Sequence, residues 1–245
     1  MRRIILLAAI SSCLFVFGCK TTESKSTADT VIDKMQTSLD PQGKLDQMSC
    51  AVYQYKVRSG TQNAAMTMYL KAPDKIKFVT KFDDRVFVKS FNGKDGWEYY
   101  NKTGLRKLAG CELNEIKFQG AMLSPNVRLQ KLFKNIKLDG KAESAGQECW
   151  KMVCYPLAKF KSQPVTLFIA TQTGFLVELI EKHDTCSEVI DIKTFLGDYK
   201  DFDGVKVPTK LISQVNGSLV ESTLIDVKWG NMLTDDDFTP PQPLR

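Results

Sequence analysis

The sequence predicts an α+β domain in which a strongly curved antiparallel sheet carries helices over one face. Apolar and polar residues alternate over most of the chain, which is the period of half-buried strands, and Gly, Pro, Asn or Asp separate the alternating runs. Helical spacing of apolar residues is confined to residues 27–39 and 111–133. About eleven strands and three helices follow, which is an α+β layout.

The first helix is predicted over residues 27–39, where apolar residues recur at helical spacing. These residues are Val31, Ile32, Met35 and Leu39. The run Asp40-Pro41-Gln42-Gly43 follows and ends the pattern, because proline and glycine continue a helix poorly. An amphipathic helix of about three turns is therefore expected.

A meander of about five strands is predicted within residues 49–101. Ile76, Phe78 and Phe82 face one way along one of these strands. Lys75, Lys77 and Lys81 alternate with them, and these lysines and Lys89 are predicted to face outward. Further strands are predicted at residues 135–156, 164–171, 174–182, 187–195, 205–215 and 218–229.

Residues 111–133 interrupt the strands and predict two short helices. Ser124 would cap the second of them and Pro125 would take its first position, as both residue types prefer. The proline-rich tail of residues 235–245 is predicted to be extended. No repeat or linker divides the body, so residues 27–245 are predicted to form one domain.

The N-terminus predicts a secreted and lipid-anchored protein. A basic head, Met1-Arg2-Arg3, precedes an apolar stretch of about 14 residues, which is too short to span a bilayer. The run Val16-Phe17-Gly18-Cys19 resembles the bacterial lipobox. Residues 1–18 are therefore predicted to be a lipoprotein signal peptide, and residues 19–26 the acylated Cys19 with a flexible tether. A plainly cleaved signal peptide and an uncleaved anchor are the alternatives.

Charge and cysteine content narrow the class of protein further. The formal net charge of +6 is mild for 245 residues and does not indicate nucleic-acid binding. Cys149 and Cys154 lie on one predicted strand, ~16 Å apart, so they cannot bridge each other. A bond from Cys186 to either of them is left open, and buried free thiols are the expected outcome for this chain.

The residues offer little for catalysis. His183 is the single histidine, and with Glu181, Asp184 and Cys186 it could be imagined as a metal site or a Cys-His pair. An exposed hairpin is the favoured interpretation. Asp235-Asp236-Asp237 lacks the spacing of a calcium loop and is predicted to be a solvated turn. We therefore expect no catalytic residue, no metal and no cofactor.

Apolar and soft side chains are abundant on one predicted sheet face and on the central helices. These side chains either pack against one another as an ordinary core or leave a cavity for one apolar ligand. The predicted ligand-binding residues are Met66, Met68, Ile76, Phe78, Phe82, Val86, Val88, Trp97, Tyr99, Met122, Leu123, Phe133, Trp150, Met152, Leu167 and Ile169.

Several turn and strand segments resemble the LolA/LolB-like family, the periplasmic carriers and outer-membrane receptors of lipoproteins. The most specific is Tyr199-Lys200-Asp201-Phe202-Asp203-Gly204-Val205-Lys206-Val207-Pro208, similar to the family's Asp-Gly turn and following strand. Asn92-Gly93-Lys94-Asp95-Gly96-Trp97, residues 223–229 and residues 235–241 are similar to its hairpin, closing strand and tail. The resemblance implies an unclosed half-barrel, capped by helices on its concave face, with an apolar cavity that accepts acyl chains.

The leading hypothesis is a monomeric, membrane-anchored lipoprotein that binds an acyl chain, a lipid or a lipoprotein and acts in sorting at the cell envelope. Under the sorting rule that resemblance to enterobacterial lipoproteins implies, Lys20 after the anchor suits a periplasm-facing position at the bacterial outer membrane, and inner-membrane anchoring stays open. The alternative is a non-enzymatic lipoprotein with a filled interior that docks an envelope partner through its basic sheet face or an exposed sheet edge. A catalytic role for His183 ranks last.

Overall fold

The computed structural model describes residues 27–240. The predicted signal peptide, Cys19, the tether and residues 241–245 lie outside the described residues. Two α-helices, α1 (Ala28–Leu39) and α2 (Gly110–Leu123), accompany a single sheet. Neither helix is long and apolar enough to cross a membrane.

Thirteen strands form this sheet, and each pairs with its neighbours in antiparallel fashion. They are β1 (Cys50–Ser59), β2 (Gln62–Lys71), β3 (Lys75–Phe82), β4 (Arg85–Phe91), β5 (Gly96–Tyr100), β6 (Gly104–Lys107), β7 (Phe133–Ser144), β8 (Gln147–Pro156), β9 (Val165–Ala170), β10 (Leu176–Asp184), β11 (Val189–Phe202), β12 (Val205–Val215) and β13 (Ser218–Gly230).

The strand order is β6-β5-β4-β3-β2-β1-β13-β12-β11-β10-β9-β8-β7. The pairing of β1 with β13 joins two meanders, and β6 and β7 are the two ends of the order. The described strands thus form an unclosed barrel, and the helices lie on its concave face. The predicted fold class is confirmed.

The helix α1 begins where the sequence predicts it. Thr27 caps it, and the side chains of Thr27 and Thr30 each bond the other's backbone N–H, at 3.3 and 2.9 Å. Val31, Ile32 and Met35 are buried against the core over β7–β9. The predicted amphipathic helix is therefore confirmed.

The predicted second central helix is wrong. Ser124 is extended, with ψ 135°, and ends α2 instead of capping a new helix, and only a short 3-10 turn forms at Leu129–Lys131. The physical reason is Pro125, because a proline disfavours the helical conformation of the residue before it. A loop of residues 124–128 follows, and it becomes one wall of the site described below.

The number of strands also differs from the prediction. Residues 135–156 divide into β7 and β8 at Ala145 and Gly146, whose φ angles of 48° and 72° form a tight hairpin turn. The strand β6 has four residues, all exposed, which is too short to show alternation. These two strands account for the difference.

Two apolar cores lie on the concave face. One packs α1 and the C-terminal half of α2 against β7–β9, with Ile32, Phe118 and Met152 among its buried residues. The other packs Ile116 and Leu108 against β1–β4, β12 and β13. The helix α2 contacts β3, β4 and β5 on one side and β10 on the other, so it bridges the two halves of the sheet.

A disulfide fixes the N-terminal end of α2. Cys111 is bonded to Cys186, which lies in the turn between β10 and β11, with 5.5 Å between their Cα atoms. The bond left open between Cys186 and Cys149 or Cys154 therefore does not form. Cys50, Cys149 and Cys154 are buried free thiols, as predicted.

Candidate functional site

A cavity of about 570 Å³ lies beneath α1 and the loop that follows α2. Its floor is the concave face of β1 and β9–β13. Its apolar lining consists of Met35, Leu39, Leu45, Tyr53, Met122, Leu123, Pro125, Val127, Leu129, Leu167, Leu176, Leu179, Leu196, Tyr199, Val205, Val207, Pro208 and Trp229. The interior between the two cores is therefore not filled by side chains.

The floor is aromatic at one side, where β1 pairs with β13. Tyr53 on β1 and Trp229 on β13 pack edge to face, with 5.4 Å between ring centroids. They share a face because Ala51 pairs with Trp229 and Tyr53 lies two residues further along β1. The Nε1 atom of Trp229 is buried and has no hydrogen-bond partner among the described residues.

The tyrosine hydroxyls of the floor stay neutral. Burial raises the pKa of Tyr53, and the neighbouring Tyr55 raises it further. Burial also raises the pKa of Tyr199, whose hydroxyl donates a hydrogen bond of 2.7 Å to the carbonyl oxygen of Leu176. The floor thus presents apolar, uncharged surface.

Arg128 holds the loop of residues 124–128 against the opposite wall of the cavity. Its Nη1 atom donates to Oε1 of Gln36 on α1 at 3.3 Å, and its Nη2 atom is bonded to the carboxylate of Asp46. Asp40 fixes the turn that carries Asp46, since it accepts the N–H groups of Lys44 and Leu45 at 3.0 and 2.7 Å. The mouth of the cavity is therefore framed by side-chain bonds between three segments.

Three of the sixteen predicted binding residues line this cavity: Met122, Leu123 and Leu167. Most of the others lie in the two cores that flank it. Met66, Met68, Ile76 and Phe78 belong to the core under Ile116, and Phe133, Trp150, Met152 and Ile169 to the core under α1. Phe82 stacks on Phe87 with 5.5 Å between ring centroids. Ligand contact by these residues stays a prediction.

The strand register places Val86, Val88, Trp97 and Tyr99 on the opposite face of the sheet from Phe78. Phe78 pairs with Lys89, so Lys89 shares its face and Val88 does not. Trp97 pairs with Ser90, which lies on the face of Val88. The prediction that Lys89 faces outward is therefore wrong, since it lies on the face covered by α2.

Two of the remaining outward lysines, Lys75 and Lys77, bind the C-terminal segment. Lys75 forms an ion pair of 2.6 Å with Asp235, and Lys77 donates to the carbonyl oxygen of Asp237. Phe238 is fully buried against this face, and its carbonyl oxygen accepts a bond of 3.0 Å from Ser90. The three aspartates of residues 235–237 thus form part of a turn that binds the basic face.

His183 is held against α2 instead of standing in an exposed hairpin. Its Nε2 atom lies 3.2 Å from Oε1 of Glu115 and 3.8 Å from Oε2 of Glu181. Cys186 is committed to the disulfide, so the imagined Cys-His pair does not form. Residues 27–240 contain no group of three metal-ligating side chains placed to hold an ion.

This ion pair predicts a pH dependence of stability. Burial lowers the pKa of His183, but the carboxylates of Glu181 and Glu115 outweigh it and the pKa ends above its ordinary value of 6.5, although Lys89 opposes them. A raised pKa in the folded state means that the stabilisation is complete below pH 6.5 and is lost as the pH rises through the folded-state pKa.

We expect wild-type protein to lose more unfolding free energy between pH 6 and pH 9 than His183→Gln does. Urea unfolding at several pH values measures the difference. Parallel pH profiles of the two proteins would contradict the pairing. Lys182→Gln serves as a control, because Lys182 pairs with Asp191 at 3.2 Å on the exposed side.

The described residues thus define an unclosed antiparallel barrel with helices and a cavity on its concave face, which is the LolA/LolB-like fold. No protein-family model matches the sequence, and no curated protein does. Among solved structures, a LolA superfamily protein from Nitrosomonas europaea is similar, with 10% identity, a TM-score of 0.59 and coverage of 88% of this chain and 98% of that chain.

Two further structures share the architecture. An outer membrane lipoprotein-sorting protein domain from Vibrio parahaemolyticus has 12% identity and a TM-score of 0.56, covering 86% of this chain and 97% of its own. A DUF1329 family protein from Desulfovibrio piger has 13% identity and a TM-score of 0.56, covering 87% and 98%. At these identities the similarity shows the fold and nothing finer.

Proposed function

We propose that this chain is a membrane-anchored lipoprotein that binds an acyl chain, of a lipid or a lipoprotein, in the cavity beneath α1, and that it acts in lipid or lipoprotein sorting at the cell envelope. One observation carries the proposal, the open volume of about 570 Å³ with an apolar lining. Ligand-binding cavities in proteins span ~300–1,000 Å³ and are mostly apolar.

The energetics favour an acyl chain as the occupant. Each buried methylene contributes ~0.8 kcal/mol, so about ten methylenes give ~8 kcal/mol before the costs of ordering the ligand. The floor offers leucines, aromatic rings and neutral tyrosines, and Met35 and Met122 on the helices adapt to varied shapes. The alternative, a filled scaffold that docks a partner, does not account for this open volume.

The cellular setting of the proposal rests on two supports. The lipobox-like run of residues 16–19 supports an anchor at Cys19, and Lys20 after it supports an outer-membrane position facing the periplasm. The fold is shared with a LolA superfamily protein and with a domain named for outer membrane lipoprotein sorting. Fold similarity alone does not fix activity, so the cavity has to be tested directly.

The test is retention of lipid by the full chain extracted from membranes. Denaturing organic extraction followed by mass spectrometry should release non-covalent acyl lipids, and the intact chain should begin at an acylated Cys19. Leu196→Trp places a bulky ring in the cavity and should lower the released lipid at least tenfold.

The matched control is Leu219→Trp, because Leu219 is 53% exposed and lies outside the cavity lining. The control should retain lipid like the wild type, and circular dichroism should show both variants folded. Wild-type protein without acyl lipid, or equal lipid in the two variants, would refute cavity binding. A chain that is not acylated at Cys19 would refute only the anchor.

A further inference from the structure

The charged side chains that line the cavity leave no free cation for a ligand. Five charged residues line it: Asp33, Asp40, Asp46, Arg128 and Lys206. Arg128 is bonded to Asp46, and Nζ of Lys206 lies 3.0 Å from Oδ2 of Asp201. Each cation thus already faces a carboxylate. Among residues 27–240, Asp33 and Asp40 have no cationic partner within ion-pair distance.

This arrangement disfavours a ligand with a negative charge. An ionised carboxylate loses its hydration on entering an apolar cavity, and the cost is high unless a cation or hydrogen-bond donors replace the water. Pairing it with Arg128 would place two carboxylates, that of Asp46 and that of the ligand, on one guanidinium group. The unpaired Asp33 and Asp40 at the rim add repulsion.

A neutral polar end meets none of these costs. An ester or amide carries no charge, and its carbonyl oxygen can accept hydrogen bonds from neutral donors at the rim. Gln36, Thr37 and Asn126 provide such groups in the lining. The charges at the mouth therefore favour a neutral ester or amide over an ionised fatty acid that has the same acyl chain.

We infer that the cavity selects acyl chains whose polar end is uncharged, such as glycerol esters or amides, over ionised fatty acids. This inference rests on the proposed function and names the chemical class of its ligand. The carboxylates at the rim would produce this selection. Asp33 is the one to change, because it is exposed and its replacement breaks no described ion pair.

The experiment uses the full chain in phosphatidylcholine vesicles and two photoreactive probes. One is a fatty acid with a diazirine in its chain, and the other is the monoacylglycerol of the same acid. At pH 9 the free carboxyl group is ionised. After illumination, mass spectrometry counts each probe on peptides that line the cavity, and the ester should label them at least ten times more than the acid.

The variant Asp33→Lys places a cation at the rim and should lower the ratio of ester to acid labelling at least threefold. Asp236→Lys makes the same charge change on the far side of the sheet and should leave the ratio unchanged. Equal or stronger labelling by the acid in the wild type, or an unchanged ratio in Asp33→Lys, would overturn the inference. Absence of both probes from cavity peptides would instead overturn the proposed function.

Discussion

Replacing Gly120 with alanine is expected to lower the free energy of unfolding by about 2 kcal/mol or more, although alanine is the better helix former. A Cβ atom at position 120 would lie 2.0 Å from the backbone carbonyl oxygen of Asp74, in the turn between β2 and β3. The gain in helix propensity is ~1 kcal/mol, whereas overpacking costs ~1–3 kcal/mol and more where backbone must move. The steric contact therefore outweighs the gain in helix propensity, and the substitution lowers the free energy of unfolding.

Urea unfolding of the two proteins measures this effect. Gly197→Ala is the matched control, because a Cβ at Gly197 in β11 would meet no atom within 4 Å. That variant should stay within ~0.5 kcal/mol of the wild type. A Gly120→Ala protein as stable as the wild type would show that α2 does not rest on this turn. Met122 and Leu123 lie two and three residues further along α2, so the same displacement would reshape the cavity wall.

The sheet could be predicted from the sequence because alternation and turn chemistry are local. Each strand needs only its own residues to show a period of two, and turns such as residues 92–96 follow from their composition. Asn92 confirms this, since its side-chain oxygen accepts the N–H groups of Lys94 and Asp95 at 3.0 and 2.8 Å. The strand β6 and the Ala145-Gly146 turn were not predicted, because neither has a strong local signal in the sequence.

The composition of the cavity could not be predicted, because it depends on which faces of successive strands coincide. Phe82 pairs with Arg85 across a two-residue turn, so Arg85 shares its face and Val86 does not. The apolar character of Val86 and Val88 gave no sign of this. A β-bulge between Leu176 and Glu178 likewise shifts the register of β10.

The cavity also gathers residues that are distant in sequence. Tyr53, Leu196 and Trp229 meet because β1 pairs with β13 and the second meander follows, which no single segment reveals. The empty space itself is set by the two flanking cores and by the length of the loop after α2. Sequence patterning identifies apolar faces but not whether they touch.

Opening the Cys111–Cys186 disulfide is expected to cost about 4 kcal/mol of stability, because the bond closes a long loop and so restricts the unfolded chain. The two cysteines are 75 residues apart in sequence. The remaining contacts at this end of α2 are weaker. Arg106 pairs with Glu112 at 2.7 Å on partly exposed surface, where an ion pair contributes ~0–1 kcal/mol.

Urea unfolding of wild-type protein with and without a thiol reductant, beside Cys111→Ser/Cys186→Ser, measures this contribution. The reductant should lower the wild type to the level of the double variant and leave that variant unchanged, because Cys50, Cys149 and Cys154 are already free thiols. Equal stability of oxidised and reduced wild type would contradict a stabilising bond. The disulfide fixes the N-terminal end of α2, and the close contact of Gly120 with the turn between β2 and β3 fixes its C-terminal half. Both Cys111→Ser/Cys186→Ser and Gly120→Ala should therefore loosen the helix that bridges the two halves of the sheet.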